Sequence, residues 1–264
     1  TICYVIESNM PCGGVKVIFE HANRLHQRGH NVSIIARQQW TKKQWFDLLV
    51  PITYTSLDEI PECDIAVSTF YTTIPYVMKS QAKAKVHLSQ GFEGSYQDSI
   101  AVTKNYQSTD NIICVSKWLK ELIRKETGKE ATYIRNGLDQ YTYSFKLHTL
   151  NMEKPRVLVV GDELEIKNVR TVLSAMNKIR DKIVLVRMFS EKDPSCESYK
   201  MPDMTQQEIA EVYDSCDIVV SASRKVEGFG LPPLEGMASG CVVVTTDNGG
   251  NGEYIRHGIN CLVV

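Results

Sequence analysis

Short apolar runs alternate with stretches of helical spacing along the chain. Residues 2–6 form an apolar run that reads as a buried strand. A turn follows at Pro11, Cys12, Gly13 and Gly14. Val15, Ile18, Ala22 and Leu25 then recur at helical spacing, and Gly29 stops that helix. Further strands are expected at 32–36, 65–68, 85–88, 112–115 and 131–134, and Ser116 suits the N-cap of a helix over 117–125. Periodicity fades over 141–154, which reads as a linker. A second alternation follows, with strands at 157–160, 183–188, 218–221, 242–245 and 261–264. Val169, Val172, Leu173 and Met176 line one helical face, and Thr205 with Glu208 forms a capping box before another helix. Short β-branched strands alternating with helices imply βαβ units and parallel sheets. The expectation is an α/β chain of two doubly wound, Rossmann-like domains, at 1–145 and 152–264. Ligands bind such sheets beyond the carboxyl ends of the strands. The informative loops therefore follow Ile6, Leu88, Ile134, Val160, Met188, Ser221 and Thr245.

Composition narrows the function classes. The 264 residues are 43% apolar and 23% charged, ordinary for a soluble globular protein able to bury a core. A formal net charge of −1 makes nucleic acid no default partner. The basic group Lys117, Lys120, Arg124 and Lys125 reads as a solvated helix face. None of the eight cysteines forms a C-x-x-C pair, so zinc ribbons and thioredoxin-like motifs lack support. Cysteines inside apolar runs fit buried free thiols in a reducing cytosol. No apolar run is long enough to span a bilayer. The chain opens inside a strand, without methionine or signal peptide, as expected of a trimmed polypeptide. Of His21, His26 and His30, only the last two share helical spacing and Gly29 interrupts them, so no metal is expected. The absence of G-x-G-x-x-G argues against a dinucleotide cofactor.

The densest chemistry lies at 227–240, after the strand at 218–221. Pro232 and Pro233 suit the first turn of a helix. Gly228 and Gly230 allow the backbone to approach a ligand closely. A helix start offers free N–H groups and partial positive charge to a phosphate. Glu235 is expected in that helix's first turn and Glu227 in the loop before it. Each carboxylate could accept hydrogen bonds from sugar hydroxyls, one facing a ribose and the other a hexose.

Glu227 and Glu235, with seven residues between them, enclose a Gly-Phe-Gly-Leu-Pro core. This segment resembles the signature of the group 1 family of retaining, GT-B-fold glycosyltransferases, glycosyltransferase family 4. Gly249, Gly250, Glu253 and the closing residues 256–264 are similar to that family as well. The resemblance implies two sheets facing across a cleft, with an acceptor-side first domain and a nucleotide-sugar-binding second domain. It implies that Glu235 holds the donor ribose, that Glu227 contacts the donor sugar, and that Gly228, Phe229, Gly230 and Leu231 line the sugar and diphosphate. Glu227 would stabilise the oxocarbenium-like centre or orient the sugar. The family's second domain continues past the strand at Cys261 with more helices, so the C-terminal part of this one is expected to be missing.

Other positions carry the resemblance less evenly. Gly13 and Gly14 match a Gly-Gly loop near the donor phosphates and the acceptor. Gly161 and Lys167 match the glycine and lysine of a phosphate clamp, whereas Asp162 stands where the family has arginine. Arg170, a helical turn beyond Lys167, is a candidate substitute. Asn136 opens an Asn-Gly-Leu-Asp turn that resembles the family's Asn-Gly-Val-Asp, though a plain turn explains it as well. Gln90 to Glu93 replaces the family's donor-sugar histidine, and His87 lies inside the strand, as core. Glu93 is either an acceptor or donor contact or a solvated loop residue.

The resulting expectation is transfer of a sugar from a nucleoside diphosphate to an acceptor hydroxyl, with retention. Front-face attack with the leaving phosphate as base would serve, and domain closure would exclude water. Lys167 and the N–H groups near Gly230 would stabilise the leaving diphosphate. No metal or other cofactor is implied, since the chain has no D-x-D. The acceptor would be a glycan, a lipid-linked molecule or a small molecule, in the cytoplasm or at the inner face of a membrane. The rivals are an epimerase or phosphorylase on the same fold, and a nucleotide-sugar-binding protein with degraded catalysis.

Overall fold

The computed structural model describes residues 1–145 and 153–264. The chain divides into two compact units, Thr1–Asn136 and Gly137–Val264. The first unit closes before the expected boundary at 145. Leu138 and Tyr143 explain the difference, because both pack into the core of the second unit beside Tyr213 and Val219. The remainder of the expected linker, 146–152, lies outside the described residues.

The first unit is a seven-stranded sheet of β1 (Ile2–Ser8), β2 (Val32–Gln38), β3 (Ile52–Tyr54), β4 (Ile65–Ser68), β5 (Ala84–Ser89), β6 (Ile112–Cys114) and β7 (Thr132–Tyr133). Its spatial order is β3-β2-β1-β4-β5-β6-β7, and every pairing is parallel. Helix α1 (Gly13–Gln27) buries Val15, Ile18, Phe19 and Ala22 against the sheet, with Trp45 stacked on Phe19. Helices α2 (Ile74–Lys79) and α3 (Ser99–Gln107) follow β4 and β5. In α4 (Lys117–Thr127), Ser116 Oγ accepts the Leu119 N–H, and Gly128 ends the helix at φ +73°. The basic residues of α4 take up local pairs, Arg124 with Glu121 and Lys125 with Glu126, as a solvated face does.

The second unit is a six-stranded parallel sheet. Its strands are β8 (Arg156–Val160), β9 (Val184–Phe189), β10 (Glu197–Lys200), β11 (Ile218–Ser221), β12 (Val242–Thr245) and β13 (Leu262–Val263). The order is β10-β9-β8-β11-β12-β13. Helices α5 (Val169–Asn177), α6 (Gln206–Asp214) and α7 (Leu231–Ala238) complete it. The Thr205–Glu208 capping box forms at the start of α6. Gly236 lets α7 lie close on β11, since a Cβ there would meet Val219 Cγ2 at 2.8 Å.

Both sheets are doubly wound, so the Rossmann-like expectation for each domain holds. In each, the order reverses beside the first strand, between β1 and β4 and between β8 and β11. The carboxyl ends of those strand pairs are where a ligand crevice forms.

Candidate functional site

At the second reversal point, three loops converge. The loop after β8 begins at Gly161, whose N–H donates to Met188 O at 2.8 Å. It runs through the short 3-10 turn Glu165–Lys167 into α5. The loop after β11 is tied to it where Arg224 N–H donates to Ile166 O at 2.8 Å. Thr246, after β12, donates its hydroxyl to Ser223 O at 2.7 Å. Glu227 forms an isolated parallel bridge with Gly249, and Gly250 N–H donates to Glu227 O at 3.2 Å.

This packing brings Lys167 and Glu227 together, with Nζ 2.5 Å from Oε2 and both side chains partly buried. Gly228, Phe229, Gly230 and Leu231 follow Glu227 directly into α7. Gly230 is the N-cap of α7 at φ +78°, a conformation that side chains disfavour. Phe229 is buried against the Tyr254 ring at 5.4 Å between centroids.

Glu235 differs from expectation. It is the fifth residue of α7, beyond the first turn, because the helix begins at Leu231. Its carboxylate is 6% exposed and accepts the Tyr213 hydroxyl at 2.8 Å. Burial, then the Glu235 charge, holds the Tyr213 phenol well above its ordinary pKa, so the hydroxyl remains a donor.

Asp162 and Arg170 do not form a cationic clamp. Asp162 Oδ1 accepts the Ser190 N–H at 3.0 Å and the Ser190 hydroxyl at 2.5 Å, tying the loops after β8 and β9. Arg170, the candidate substitute for the missing arginine, is 82% exposed and pairs with Glu163 at 3.1 Å. Lys167 is the cation that the fold places beside Glu227.

In the first unit, Gly13 and Gly14 are the first residues of α1 rather than the loop before it. Gln90 Nε2 donates to Gly14 O at 3.0 Å, linking that helix start to the loop after β5. Glu93 in the same loop is no solvated residue. It is 4% exposed, accepts the Tyr106 hydroxyl at 2.8 Å on Oε2 and accepts the Tyr71 N–H at 3.2 Å on Oε1. Burial pushes its carboxyl pKa up to about 7. His87 is core, as expected: Nδ1 lies 3.0 Å from Ser68 Oγ, its ring meets Tyr106 edge-on, and burial lowers its pKa to about 3. Asn136 is buried at the end of the unit, and its Oδ1 makes no hydrogen bond.

All eight cysteines are free thiols, with six buried and Cys12 and Cys196 half-buried. Among the described residues, no group of three or more His, Cys, Asp or Glu side chains could hold a metal ion. No helix among them is long and apolar enough to cross a membrane. Sequence reasoning passed over Tyr213, Asn248 and Tyr254, which build the site from behind. Only the aromatic and amide character of these residues beside the Gly-rich segments hinted at it.

The second unit's residues 154–264 match the family described as glycosyl transferases group 1. An uncharacterized glycosyltransferase of Methanocaldococcus jannaschii is 27% identical over 198 residues, covering 72% of this chain and 54% of that protein. The chain thus spans about half the length of the curated relative it matches. Among solved structures, Anabaena HepE in complex with UDP and glucose superposes with a TM-score of 0.80 at 14% identity, covering 100% of this chain and 85% of that one. Sucrose-phosphate synthase from Thermosynechococcus elongatus gives 0.78 at 15% identity, with 100% and 86% covered. The fold is the two-domain α/β architecture of GT-B glycosyltransferase structures. The match to glycosyl transferases group 1 thus lies within the second unit.

Proposed function

We propose that this chain carries the donor-binding and catalytic parts of a retaining glycosyltransferase of family 4 type. It would move a sugar from a nucleoside diphosphate to an acceptor hydroxyl. The observation that carries this reading is the Lys167–Glu227 pair at the β8/β11 reversal point, inside the segment that matches the glycosyl transferases group 1 family. The structural relative from Anabaena was solved with UDP and glucose, which supports a nucleotide-sugar donor here.

In this reading Lys167 and the N–H groups at the start of α7 neutralise the leaving diphosphate. Glu227 is released from Lys167 by the incoming phosphates and faces the donor sugar. Glu235 holds the ribose, and Gly161, Gly228 and Phe229 line the donor. Gly13, Gly14, Glu93 and Asn136 belong to the first unit, to which we assign the acceptor. The reaction needs no metal, because the cation at the diphosphate is a lysine. We place it in the cytoplasm, where eight free thiols persist, or at the inner face of a membrane if the acceptor is lipid-linked.

A second reading, a nucleotide-sugar-binding protein with degraded catalysis, is favoured by one observation. Asp162 occupies the arginine position and is committed to Ser190. Thermal-shift measurement with UDP, GDP, ADP and their sugars tests the donor site. A ligand at about 100 times its Kd stabilises by about 2.7 kcal/mol, a rise of several degrees. No rise with any of them sinks both readings. Binding of a nucleotide sugar with neither transfer nor hydrolysis would select the second.

A further inference from the structure

The start of α7 is poor in donors by sequence. A helix leaves its first four N–H groups without intrahelical partners. Here those positions are Gly230, Leu231, Pro232 and Pro233, and the prolines have no N–H. Only the Gly230 and Leu231 N–H groups remain, and neither donates to any acceptor among the described residues.

The direction of those two N–H groups is set from behind. The Tyr254 hydroxyl donates to Gly230 O, and its oxygen lies 3.4 Å from Phe229 O. Asn248 is 0% exposed, with its Oδ1 fixed by Asn251 N–H at 2.9 Å. Its Nδ2 has no partner and is aimed at Gly230, 2.7 Å from where a Cβ would stand. The two groups that face Gly230 from the inner side, the Tyr254 hydroxyl and Asn248 Nδ2, are thus both placed as donors, which favours the arrangement in which carbonyls point inward. Among the described residues no peptide bond is cis. In a planar trans peptide the N–H points opposite to the C=O. The Phe229–Gly230 and Gly230–Leu231 peptides share the Gly230 and Leu231 N–H groups, so both N–H groups turn outward, away from Tyr254.

We propose that Tyr254 is a positioning residue that aims the Gly230 and Leu231 N–H groups, as a pair, at the diphosphate of the donor. This rests on the donor site placed above in the second unit. The phenol stays a donor because burial, then the nearby Glu227 and Glu235 carboxylates, holds its pKa well above the ordinary value.

Tyr254→Phe tests this, since it keeps the ring against Phe229 and removes only the hydroxyl. Calorimetric titration of both proteins would use inorganic pyrophosphate, whichever of UDP, GDP and ADP the wild type binds, and the matching nucleoside. Pyrophosphate and nucleotide affinities should fall about five- to tenfold, the scale of one hydrogen bond, with nucleoside affinity unchanged. A lower melting temperature with an unchanged ratio of diphosphate to nucleoside affinity would make Tyr254 a structural prop and overturn the proposal. If the variant does not fold, wild-type amide NMR decides. The Gly230 and Leu231 signals should move downfield on adding pyrophosphate, and their standing still while other signals respond overturns the proposal too. A wild type that binds neither pyrophosphate nor any nucleotide removes the donor reading itself, and this inference with it.

Discussion

Lys167 Nζ and Glu227 Oε2 meet at 2.5 Å across sixty residues of sequence, joining the loops that follow two adjacent strands, β8 and β11. Both side chains are partly buried, so salt screens the pair less than an exposed one. Each group therefore controls the other's availability. Lys167→Met should weaken nucleoside diphosphate binding and lower turnover together, because on the proposed reading Glu227 then faces the phosphates without a cation between them. Glu227→Gln should lower donor turnover about a hundredfold while nucleotide affinity stays within about threefold. Calorimetry alongside donor-hydrolysis rates separates the two. Equal loss of affinity in both variants would mean that Glu227 is a phosphate-loop brace rather than a sugar contact.

Glu235 is held inside α7 by Tyr213, which gives its substitution two consequences. Glu235→Ala should weaken nucleotide affinity more than any change at Glu227, because on the proposed reading it removes the ribose contact. It should also cost about 1–3 kcal/mol of stability, since the buried Tyr213 hydroxyl loses its acceptor. Glu235→Gln keeps an oxygen for Tyr213 and should recover most of that stability while still binding nucleotide less tightly. Urea melts and nucleotide titrations of both variants check this. Glu235→Gln binding as tightly as wild type would show that the carboxylate charge does not serve the ligand.

Much of the architecture was legible because buried parallel strands read as short β-branched runs. β4, β11 and β12 span the expected residues. Elements with little apolar content were missed. β10 reads Glu-Ser-Tyr-Lys at the sheet edge, and α3 buries only Val102 and Tyr106. β3 has three residues and no buried one. The carboxylates at 227 and 235 were found by their spacing, but spacing does not reveal depth. That Glu235 faces Tyr213, that Glu93 lies beneath Tyr106, and that Asp162 spans to Ser190 depend on contacts between loops distant in sequence. Tyr254 and Asn248 were hinted at only by their aromatic and amide character, because a contact with another segment's backbone leaves no pattern of spacing.

Gly250 should be among the least replaceable residues of the second unit. A Cβ there would stand 2.2 Å from Gly228 O, 2.3 Å from Gly228 C and 2.4 Å from Phe229 N, all backbone atoms. The two loops would have to part, breaking the Gly250 N–H bond to Glu227 O and moving Glu227 from Lys167. Gly250→Ala should lower stability by about 1–3 kcal/mol and abolish nucleotide-induced stabilisation. Gly252→Ala is the control, since nothing lies within 4 Å of the added carbon. Thermal melts with and without nucleotide measure both, and matching behaviour of the two variants would contradict the close packing.

The buried carboxyl of Glu93 makes the first unit's stability depend on pH in a direction opposite to that of most acidic groups. Its pKa in the folded chain is pushed up to about 7 by burial, the Tyr106 hydroxyl and the Tyr71 N–H opposing that rise only in part. In the unfolded chain a glutamate titrates near about 4.3. Between those values the native state binds more protons than the unfolded state, so stability falls as pH rises through about 7 and levels off above it. His87, lowered to about 3 by burial, acts oppositely: stability rises with pH up to its unfolded value near about 6.5 and is constant beyond. Glu93→Gln removes the first effect and leaves the second, so His87 cancels in the comparison. Measured by urea melts at pH 5, 6.5 and 8, the variant should gain on wild type with each step, by about 3 kcal/mol in all for a group this buried. Much of that gain is expected by pH 6.5, because the native carboxyl is still mostly protonated while the unfolded one has already ionised. Parallel curves for the two proteins would show that the Glu93 carboxyl ionises in the folded state as readily as in water, and that Tyr106 and Tyr71 stabilise its charge fully.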